Sequence, residues 1–182
     1  MLLSADDSQL VLVDLQTRLL NAMPAPAQPL LGRRIHTLIA AGAGLGIPLL
    51  ATRQYVRGLG PLDPEIAKAL PPGTPVFDKT RFSCAGAEGF LGALAGSRRT
   101  LVIAGVEAHV CVLQTAFDLA ALGFSVSVVA DAVCSRAERD LEYSLLRLRQ
   151  AGIGLVTTES VVFEWLRDAA HPKFRDLLPL IR

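Results

Sequence analysis

Three side chains of this sequence have the types needed to break an amide bond, and each lies at or near the end of a short apolar run. Asp14 ends the run QLVLVD, Lys79 follows TPVFD, and Cys111 lies shortly after LVIA. A cysteine nucleophile needs a base for its proton, a cation that favours the thiolate, and N–H donors for the oxyanion. In open α/β sheets, ligands gather outside the carboxyl ends of the strands. These three residues are therefore our candidate catalytic set.

The surroundings of Cys111 in the sequence favour an activated thiol. The apolar run 101–104 reaches Gly105, and a helical pattern that ends at Gly123 begins within a few residues. The unpaired N–H groups and positive dipole end of a helix N-terminus lower the pKa of a nearby thiol and bind oxyanions. We therefore expect Cys111 to be poised as a thiolate. The alternative is a buried cysteine that packs as a small hydrophobic residue.

The other cysteines and the histidines are weaker candidates for a nucleophile or a base. Neither Cys84 nor Cys134 follows a strand directly into a helix start. A histidine is the common partner of a catalytic cysteine, but none here is an obvious base. The histidines are His36 inside a helical pattern, His109 two residues before Cys111, and His171 in the tail. His109 is too close along the backbone for easy pairing, so we assign it to a pocket or the surface. Asp14 also has an alternative role as the cap of a turn.

Strand and helix patterns alternate along the whole chain. Strands are predicted at 9–15, 47–52, 74–77, 100–104, 125–130 and 153–157. Helices are predicted at 30–44, 63–70, 85–95, around Cys111, at 138–150 and at 159–166. This alternation predicts an α/β fold, a three-layer αβα sandwich with a mostly parallel six-stranded sheet joined by right-handed crossovers.

The composition of the chain indicates its domain count and which kinds of binding partner to expect. A chain of 182 residues can bury a full core, so we expect a single domain over residues 1–182. With 18 Lys and Arg against 17 Asp and Glu and no basic block, nucleic acid is not an expected partner. The hydrophobic fraction of 51% lies in short runs typical of strands buried on both faces. The surplus predicts a homo-oligomer, a dimer or larger.

The sequence contains no readable targeting or membrane segment. Its N-terminal stretch is acidic where a signal peptide would be basic. The longest apolar stretch, 38–51, is broken by three glycines and Pro48, and it is shorter than the ~18 residues that a membrane helix needs. Three cysteines without a CxxC pair argue against a disulfide framework or zinc knuckle. We therefore expect a cytoplasmic protein without membrane association.

The chain resembles the isochorismatase-like cysteine hydrolases, in particular the isochorismatase-domain-containing proteins, over nearly its whole length. The segments that carry this resemblance are VLVDLQ around Asp14, TRQYVRGLGPLDPEI from Thr52, FDKTRFSC around Lys79, GVEAHVCVLQTAFDLAALGF around Cys111, VVADAVCSR from Val128, and HPKF near the end. Each segment alone is a weak signal, whereas the combination is highly specific. The resemblance implies that Asp14, Lys79 and Cys111 form a catalytic triad in a parallel-sheet sandwich.

The same resemblance implies how the site would work. A cis peptide bond is expected between Val106 and Glu107, and the N–H groups of Glu107 and Cys111 would form the oxyanion hole. Asp14 would take the Cys111 proton while Lys79 stabilises the anions, and the thiolate would attack a carbonyl carbon. Water would then hydrolyse the thioester.

Two features of the sequence narrow the chemistry. The nicotinamidase branch binds a metal through a D-x-H pattern after the second strand, but this chain has Arg53-Gln54-Tyr55 there. We therefore expect no metal and no cofactor, and nicotinamide is a poor candidate substrate. Members devoted to isochorismate cleavage resemble this chain without the cysteine, so Cys111 favours hydrolysis of a small-molecule amide or related C–N bond. The candidate substrate contacts are Gln16, Gln54, Tyr55, Phe82 and Gln114, for which simple packing is the alternative.

Two other functions remain open on the sequence. A thiol-reactive or redox protein would use a low-pKa Cys111, although a resolving cysteine is not nearby in sequence and Cys84 or Cys134 would have to approach in space. A non-catalytic oligomer would keep the site as a relic and act by binding partners. A dinucleotide-binding domain is disfavoured because no GxGxxG motif follows the first predicted strand.

Overall fold

The sheet that organises the molecule is entirely parallel. The computed structural model describes residues 2–181. Its strands are β1 (Ser8–Val13), β2 (Leu49–Gln54), β3 (Val76–Lys79), β4 (Thr100–Val106), β5 (Ser125–Cys134) and β6 (Gly154–Val156). They form one six-stranded sheet in the order β3-β2-β1-β4-β5-β6, and every neighbouring pair is parallel. With helices on its two faces, the predicted α/β fold is confirmed.

Helices cover both faces of this sheet. They are α1 (Thr17–Leu20), α2 (Gln28–Gly44), α3 (Val56–Leu59), α4 (Pro64–Ala69), α5 (Phe90–Ala93), α6 (Leu113–Ala121), α7 (Glu138–Gln150), α8 (Thr158–Leu166) and α9 (Phe174–Leu177). The helix predicted at 85–95 is wrong for most of its length. A 3₁₀ turn at Cys84–Gly86 and the four-residue α5 stand there, and Gly89 between them has φ 78°. That left-handed conformation interrupts a right-handed helix.

The central strand β1 shows how the layers are built. Successive side chains of a strand point to opposite faces. Leu10 and Leu12 accordingly pack into a core with α2 and α8. Val11 and Val13 pack into a second core with α6 and α7 on the other face. All six residues of β1 are buried, which explains why this strand reads as a nearly continuous apolar run.

The carboxyl ends of the strands bring the polar residues to one edge. Strands β2 and β3 each end two residues later than the sequence predicts, so Gln54 and Lys79 are strand residues and are partners in the β2–β3 register. Asp14 follows β1, and Glu107 follows β4. Parallel pairing therefore places these four residues at the same edge of the sheet.

The helices of this structure do not include a membrane span. Within residues 2–181, none of them is both long and apolar enough to cross a bilayer.

Candidate active site

Asp14 and Lys79 form a buried ion pair at this edge of the sheet. The Lys79 Nζ lies 2.6 Å from Asp14 Oδ2, and both side chains are shielded from solvent. Asp14 has φ 53°, a left-handed conformation that aspartate tolerates better than most residues. The other carboxylate oxygen, Oδ1, accepts a hydrogen bond of 2.7 Å from the Thr52 hydroxyl. Both oxygens of Asp14 therefore have a donor.

The Lys79 ammonium has an acceptor for each of its three protons. Besides Asp14, it donates to Gln54 Oε1 at 2.7 Å and to the carbonyl oxygen of Phe82 at 2.9 Å. An ammonium group carries three donors and no acceptor. Its hydrogen-bonding capacity is thus filled, and these three bonds fix the position of the Lys79 Nζ in the site.

Cys111 lies in a π-helical turn, Ala108–Val112, between β4 and α6. Only 6% of the residue is exposed. Burial raises the pKa of the Cys111 thiol and the negative charge of Asp14 raises it further, against a smaller lowering by Lys79. The resting thiolate stays a prediction, and this raised pKa argues against it, because desolvation and a neighbouring carboxylate outweigh the lysine. The Cys111 thiol lies beside both Asp14 and Lys79.

The turn between β4 and Cys111 is held by its own backbone and by an ion pair. The peptide bond between Val106 and Glu107 is cis. The carbonyl oxygen of Glu107 accepts from the N–H groups of Val110 at 3.1 Å and Val112 at 3.2 Å. Its carboxylate Oε2 accepts from Arg136 Nε at 2.9 Å and from the Arg136 backbone N–H at 3.3 Å. Hydrogen bonds thus hold both the backbone carbonyl and the side chain of Glu107 in place.

Two of the predicted substrate contacts are used inside the fold. Gln16 is fully buried; its Nε2 donates to the carbonyls of Gln54 at 3.0 Å and Gly60 at 2.6 Å, and its Oε1 accepts from Gln54 N at 2.7 Å. The Gln54 amide in turn holds Lys79 and donates to the carbonyl of Thr80 at 2.9 Å. In this arrangement both glutamines hold the lysine and the loops around it, and their contact with a substrate stays a prediction.

The other three predicted contacts are exposed and line two cavities. Phe82 and Gln114 border a cavity of about 660 Å³ between the 81–91 segment and α6. Tyr55 borders a cavity of about 530 Å³ that also reaches Lys79. Gly86 lines both cavities, so the segment around it separates them. Tyr55, Phe82 and Gln114 are therefore placed where a small molecule could contact them.

Sequence reasoning missed Thr52 and gave Cys84 too little weight. Thr52 and Cys84 are both fully buried, and the Cys84 Sγ lies 3.5 Å from the Thr52 Oγ1 that holds Asp14. Burial and the charge of Asp14 raise the pKa of the Cys84 thiol to about 11. No local pattern signals these contacts, because the pairing of β1 with β2 brings Thr52 to Asp14 and the turn after β3 brings Cys84 to Thr52. Parallel pairing of the two predicted strands was the one available clue.

His109 has partners other than Cys111. Its Nδ1 lies 2.9 Å from Ser135 Oγ, and its Nε2 lies 3.7 Å from Asp140 Oδ2. The imidazole therefore connects the turn that bears Cys111 to the end of β5 and to α7. No group of three or more His, Cys, Asp or Glu side chains in the part of the chain that the structure describes is arranged to hold a metal ion.

Fold and site together define a class of protein. This chain has a parallel α/β sheet whose carboxyl edge carries a buried Asp–Lys pair beside a cysteine that follows the fourth strand. The model of the isochorismatase domain matches its residues 8–160. The chain belongs to the isochorismatase family, and it has the fold of that family's hydrolases.

Individual relatives support this assignment. The chain is 41% identical over 147 residues to isochorismatase domain-containing protein 2 of Danio rerio, a match that covers 79% of this chain and 72% of the relative. Among solved structures, the MAR1 ribonuclease of Caenorhabditis elegans matches with a TM-score of 0.93 and 35% identity over 100% of this chain and 92% of the other.

Two structures of YcaC proteins are also similar. YcaC from Pseudomonas aeruginosa, solved with hexane-2,5-diol and covalent acrylamide, has a TM-score of 0.91 and 26% identity, and the match covers 98% of this chain and 91% of the other. YcaC from Escherichia coli, described as an octameric hydrolase of unknown specificity, has a TM-score of 0.87 and 27% identity, with 98% and 95% covered.

Proposed function

We propose that this protein is a cysteine-dependent hydrolase of a small-molecule amide or related C–N bond. The observation that carries the proposal is the buried Asp14–Lys79 ion pair next to Cys111. In one buried cluster, Asp14 would be the base, Lys79 the cation and Cys111 the nucleophile of an acyl transfer. Asp14, Lys79 and Cys111 are the proposed catalytic residues.

The raised pKa of Cys111 determines how the nucleophile would form. Release of the thiol proton to solvent would leave a second negative charge beside Asp14 in a buried site. Transfer of that proton to Asp14 avoids this, because the S–H bond breaks, an O–H bond forms, and the net charge of the cluster does not change. The thiolate then faces the Lys79 ammonium. Cys111 would thus be activated when substrate arrives rather than at rest.

The thiolate would attack the carbonyl carbon of the bound amide. The N–H groups of Glu107 and Cys111 are proposed to donate to the oxyanion of the tetrahedral intermediate, at the turn that the Glu107–Arg136 ion pair holds. Asp14 returns its proton to the leaving nitrogen as the C–N bond breaks. Water, deprotonated by the same carboxylate, then hydrolyses the thioester and restores the Cys111 thiol.

Features of the relatives support a nucleophilic site in an assembled protein. Acrylamide is an electrophile that also bears an amide group, and it is covalently bound in the Pseudomonas protein. The Escherichia coli protein is an octamer, and we propose a homo-oligomer for this chain as well. Tyr55, Phe82 and Gln114 are the proposed substrate contacts, since they are exposed and line two cavities, one of which includes Lys79.

The test is turnover of a panel of small aliphatic and aromatic primary amides, followed by release of ammonia. Wild-type protein is expected to hydrolyse at least one amide, and Cys111→Ala is expected to lose that activity. Acid quenching during turnover should trap an acyl group on the Cys111 peptide, detected by mass spectrometry. Equal turnover by Cys111→Ala would contradict the proposal.

Two further samples separate the other functions. A short RNA in the same panel tests the activity named for the nematode relative. Oxidation of Cys111 by peroxide without turnover of any amide would favour a thiol-reactive protein.

A further inference from the structure

The Thr52 hydroxyl is the least expected part of the buried cluster. Its oxygen donates to Asp14 Oδ1 at 2.7 Å and accepts from the Asp14 backbone N–H at 3.3 Å. The third neighbour is the Cys84 Sγ at 3.5 Å, where either atom can be the donor. One donor and two acceptor sites are the full capacity of a hydroxyl. Thr52 is therefore saturated by Asp14 and Cys84 alone.

The two oxygens of Asp14 differ in what they can do with an added proton. Oδ2 accepts from Lys79, whose protons all have acceptors and which has no lone pair to offer. Oδ1 faces the Thr52 hydroxyl, which can rotate and become an acceptor. If it rotates, the hydroxyl proton can turn toward the Cys84 sulfur, a weak acceptor. Both protonation states of Asp14 can then keep their hydrogen bonds while fully buried.

We propose that Thr52, with Cys84 as its second partner, is a positioning residue that lets the buried Asp14 take up and return the Cys111 proton. This inference rests on the proposed function, in which Asp14 is the base. With Asp14 ionised, Thr52 donates to the carboxylate. When Asp14 carries the proton on Oδ1, Thr52 accepts and its own O–H turns to Cys84. A single proton moves between Cys111 and Asp14, and the O–H bond of Thr52 is never broken.

Alkylation of Cys111 as a function of pH tests this without a substrate. Iodoacetamide labelling is followed by mass spectrometry of the Cys111 peptide in wild type, Thr52→Val, Thr52→Ser and Cys84→Ala. Valine matches the shape of threonine but cannot donate, so the ionised carboxylate loses a charge-assisted hydrogen bond. The acid-side midpoint of the labelling profile should therefore move up by about one pH unit in Thr52→Val.

Further variants show whether the shift comes from the Thr52 hydroxyl itself. Thr52→Ser keeps the hydroxyl and should keep the wild-type midpoint, while Cys84→Ala should shift it in the same direction by less than Thr52→Val does. Thr37→Val is the control for folding, because Thr37 is also buried but donates to the carbonyl of Leu180 far from the site. Its profile should match wild type. Thr52→Ala supplies the same measurement if the valine variant does not fold.

Two outcomes overturn the inference. One is a folded Thr52→Val or Thr52→Ala with the wild-type midpoint, and the other is a Thr52→Ser shift as large as that of Thr52→Val. Failure of the proposed function is recognised separately, since Asp14→Asn would then leave labelling near neutral pH undiminished. A profile that responds to Asp14→Asn but not to loss of the Thr52 hydroxyl removes only the role of Thr52.

Discussion

At the scale of single residues, Asp14 has two opposite effects on Cys111. As a fixed negative charge, it raises the pKa of the thiol and opposes formation of a thiolate by loss of the proton to solvent. As a hydrogen-bond acceptor in the same cluster, it is the base that we propose for the thiol proton. Lys79, bound to Asp14 at 2.6 Å, partly offsets the negative charge that raises the thiol pKa, while Asp14 can still act as the base.

These two effects predict an unusual pH profile for the Asp14→Asn variant. Without the base, labelling of Cys111 by iodoacetamide near neutral pH should fall by about 10²-fold or more. Without the negative charge, the pKa of Cys111 is less strongly raised, so the alkaline rise in labelling should begin at a lower pH than in wild type. Rates measured by mass spectrometry across the pH range check both changes.

The matched control for that experiment is Asp78→Asn. The Asp78 carboxylate pairs with Arg53 at 2.7 Å on the exposed side of β2 and β3, so its loss should leave the labelling profile unchanged. Undiminished labelling of Asp14→Asn at neutral pH would show that Asp14 is not the base.

At the scale of elements, the close approach of β1 and β4 determines where the turn to Cys111 begins. Gly105 has φ 126°, a conformation that favours glycine. A Cβ at this position would overlap with the backbone carbonyl of Val13 on the neighbouring strand. The register between β4 and β5 also shifts between Ile103 and Gly105. The glycine therefore allows the strands that carry Asp14 and Glu107 to lie side by side.

We predict that Gly105→Ala lowers the free energy of unfolding by about 3 kcal/mol or prevents folding, because backbone must move to relieve the overlap. Gly32→Ala is the matched control. Gly32 lies inside α2 with nothing within 4 Å of an added Cβ, so it should stabilise the protein by about 0.5–1 kcal/mol. Urea denaturation measures both. A Gly105→Ala protein as stable as wild type would refute the steric argument.

At the scale of the whole molecule, buried thiols make stability sensitive to alkaline pH. The Cys84 thiol titrates near 9.0 without its folded surroundings and at about 11 within them. A raised pKa means that the folded state holds the proton more tightly, so this contribution is complete at neutral pH and is lost as the pH rises from about 9 toward 11. Cys84 lies in the turn after β3, where its Sγ contacts the Thr52 hydroxyl of β2.

We therefore predict that the free energy of unfolding falls between about pH 8 and pH 10, with about 1 kcal/mol of the loss due to Cys84. The Cys84→Ala variant should be less stable than wild type at neutral pH. Between about pH 8 and pH 10, however, its free energy of unfolding should fall by about 1 kcal/mol less than that of wild type. Urea denaturation at the two pH values measures this difference. Equal losses in the two proteins would contradict the assignment.

Exposed apolar side chains on the α6–α7 layer support the proposed oligomer. Leu122 follows α6, and Tyr143 and Leu146 lie on α7; each is about half exposed, at 52%, 56% and 46%. Leu91 of α5 is exposed on the same layer. Large apolar side chains exposed on one layer are candidates for an interface between proteins. We place the contact between copies of the chain on this layer.

Light scattering after size exclusion tests this placement. Wild type is expected to elute as a dimer or larger, and Leu122→Lys combined with Leu146→Lys should shift it to a smaller species. Leu30→Lys is the control, because Leu30 is similarly exposed but lies on α2 over the other face of the sheet. A wild-type monomer, or dissociation by Leu30→Lys alone, would contradict it.

The sequence by itself determined the fold class and the candidates Asp14, Lys79 and Cys111, because both depend on local patterns. Apolar runs of strand length alternate with helical periods, and in such a fold the carboxyl ends of parallel strands meet at one edge. Three reactive residues beside three such ends could therefore be selected before any contact was known. The family resemblance covered the same segments.

Tertiary structure alone decided the surroundings that raise the pKa of Cys111 and the contacts of the residues around it. The pKa of a thiol depends on how much water surrounds it and on which charges approach it, and neither burial nor the distance to Asp14 is visible in the segment around Cys111. Gln16, Gln54 and Thr52 are separated from their partners by 25 to 44 residues. Only the tertiary fold brings them together, which is why the sequence showed none of these contacts and the threonine was overlooked.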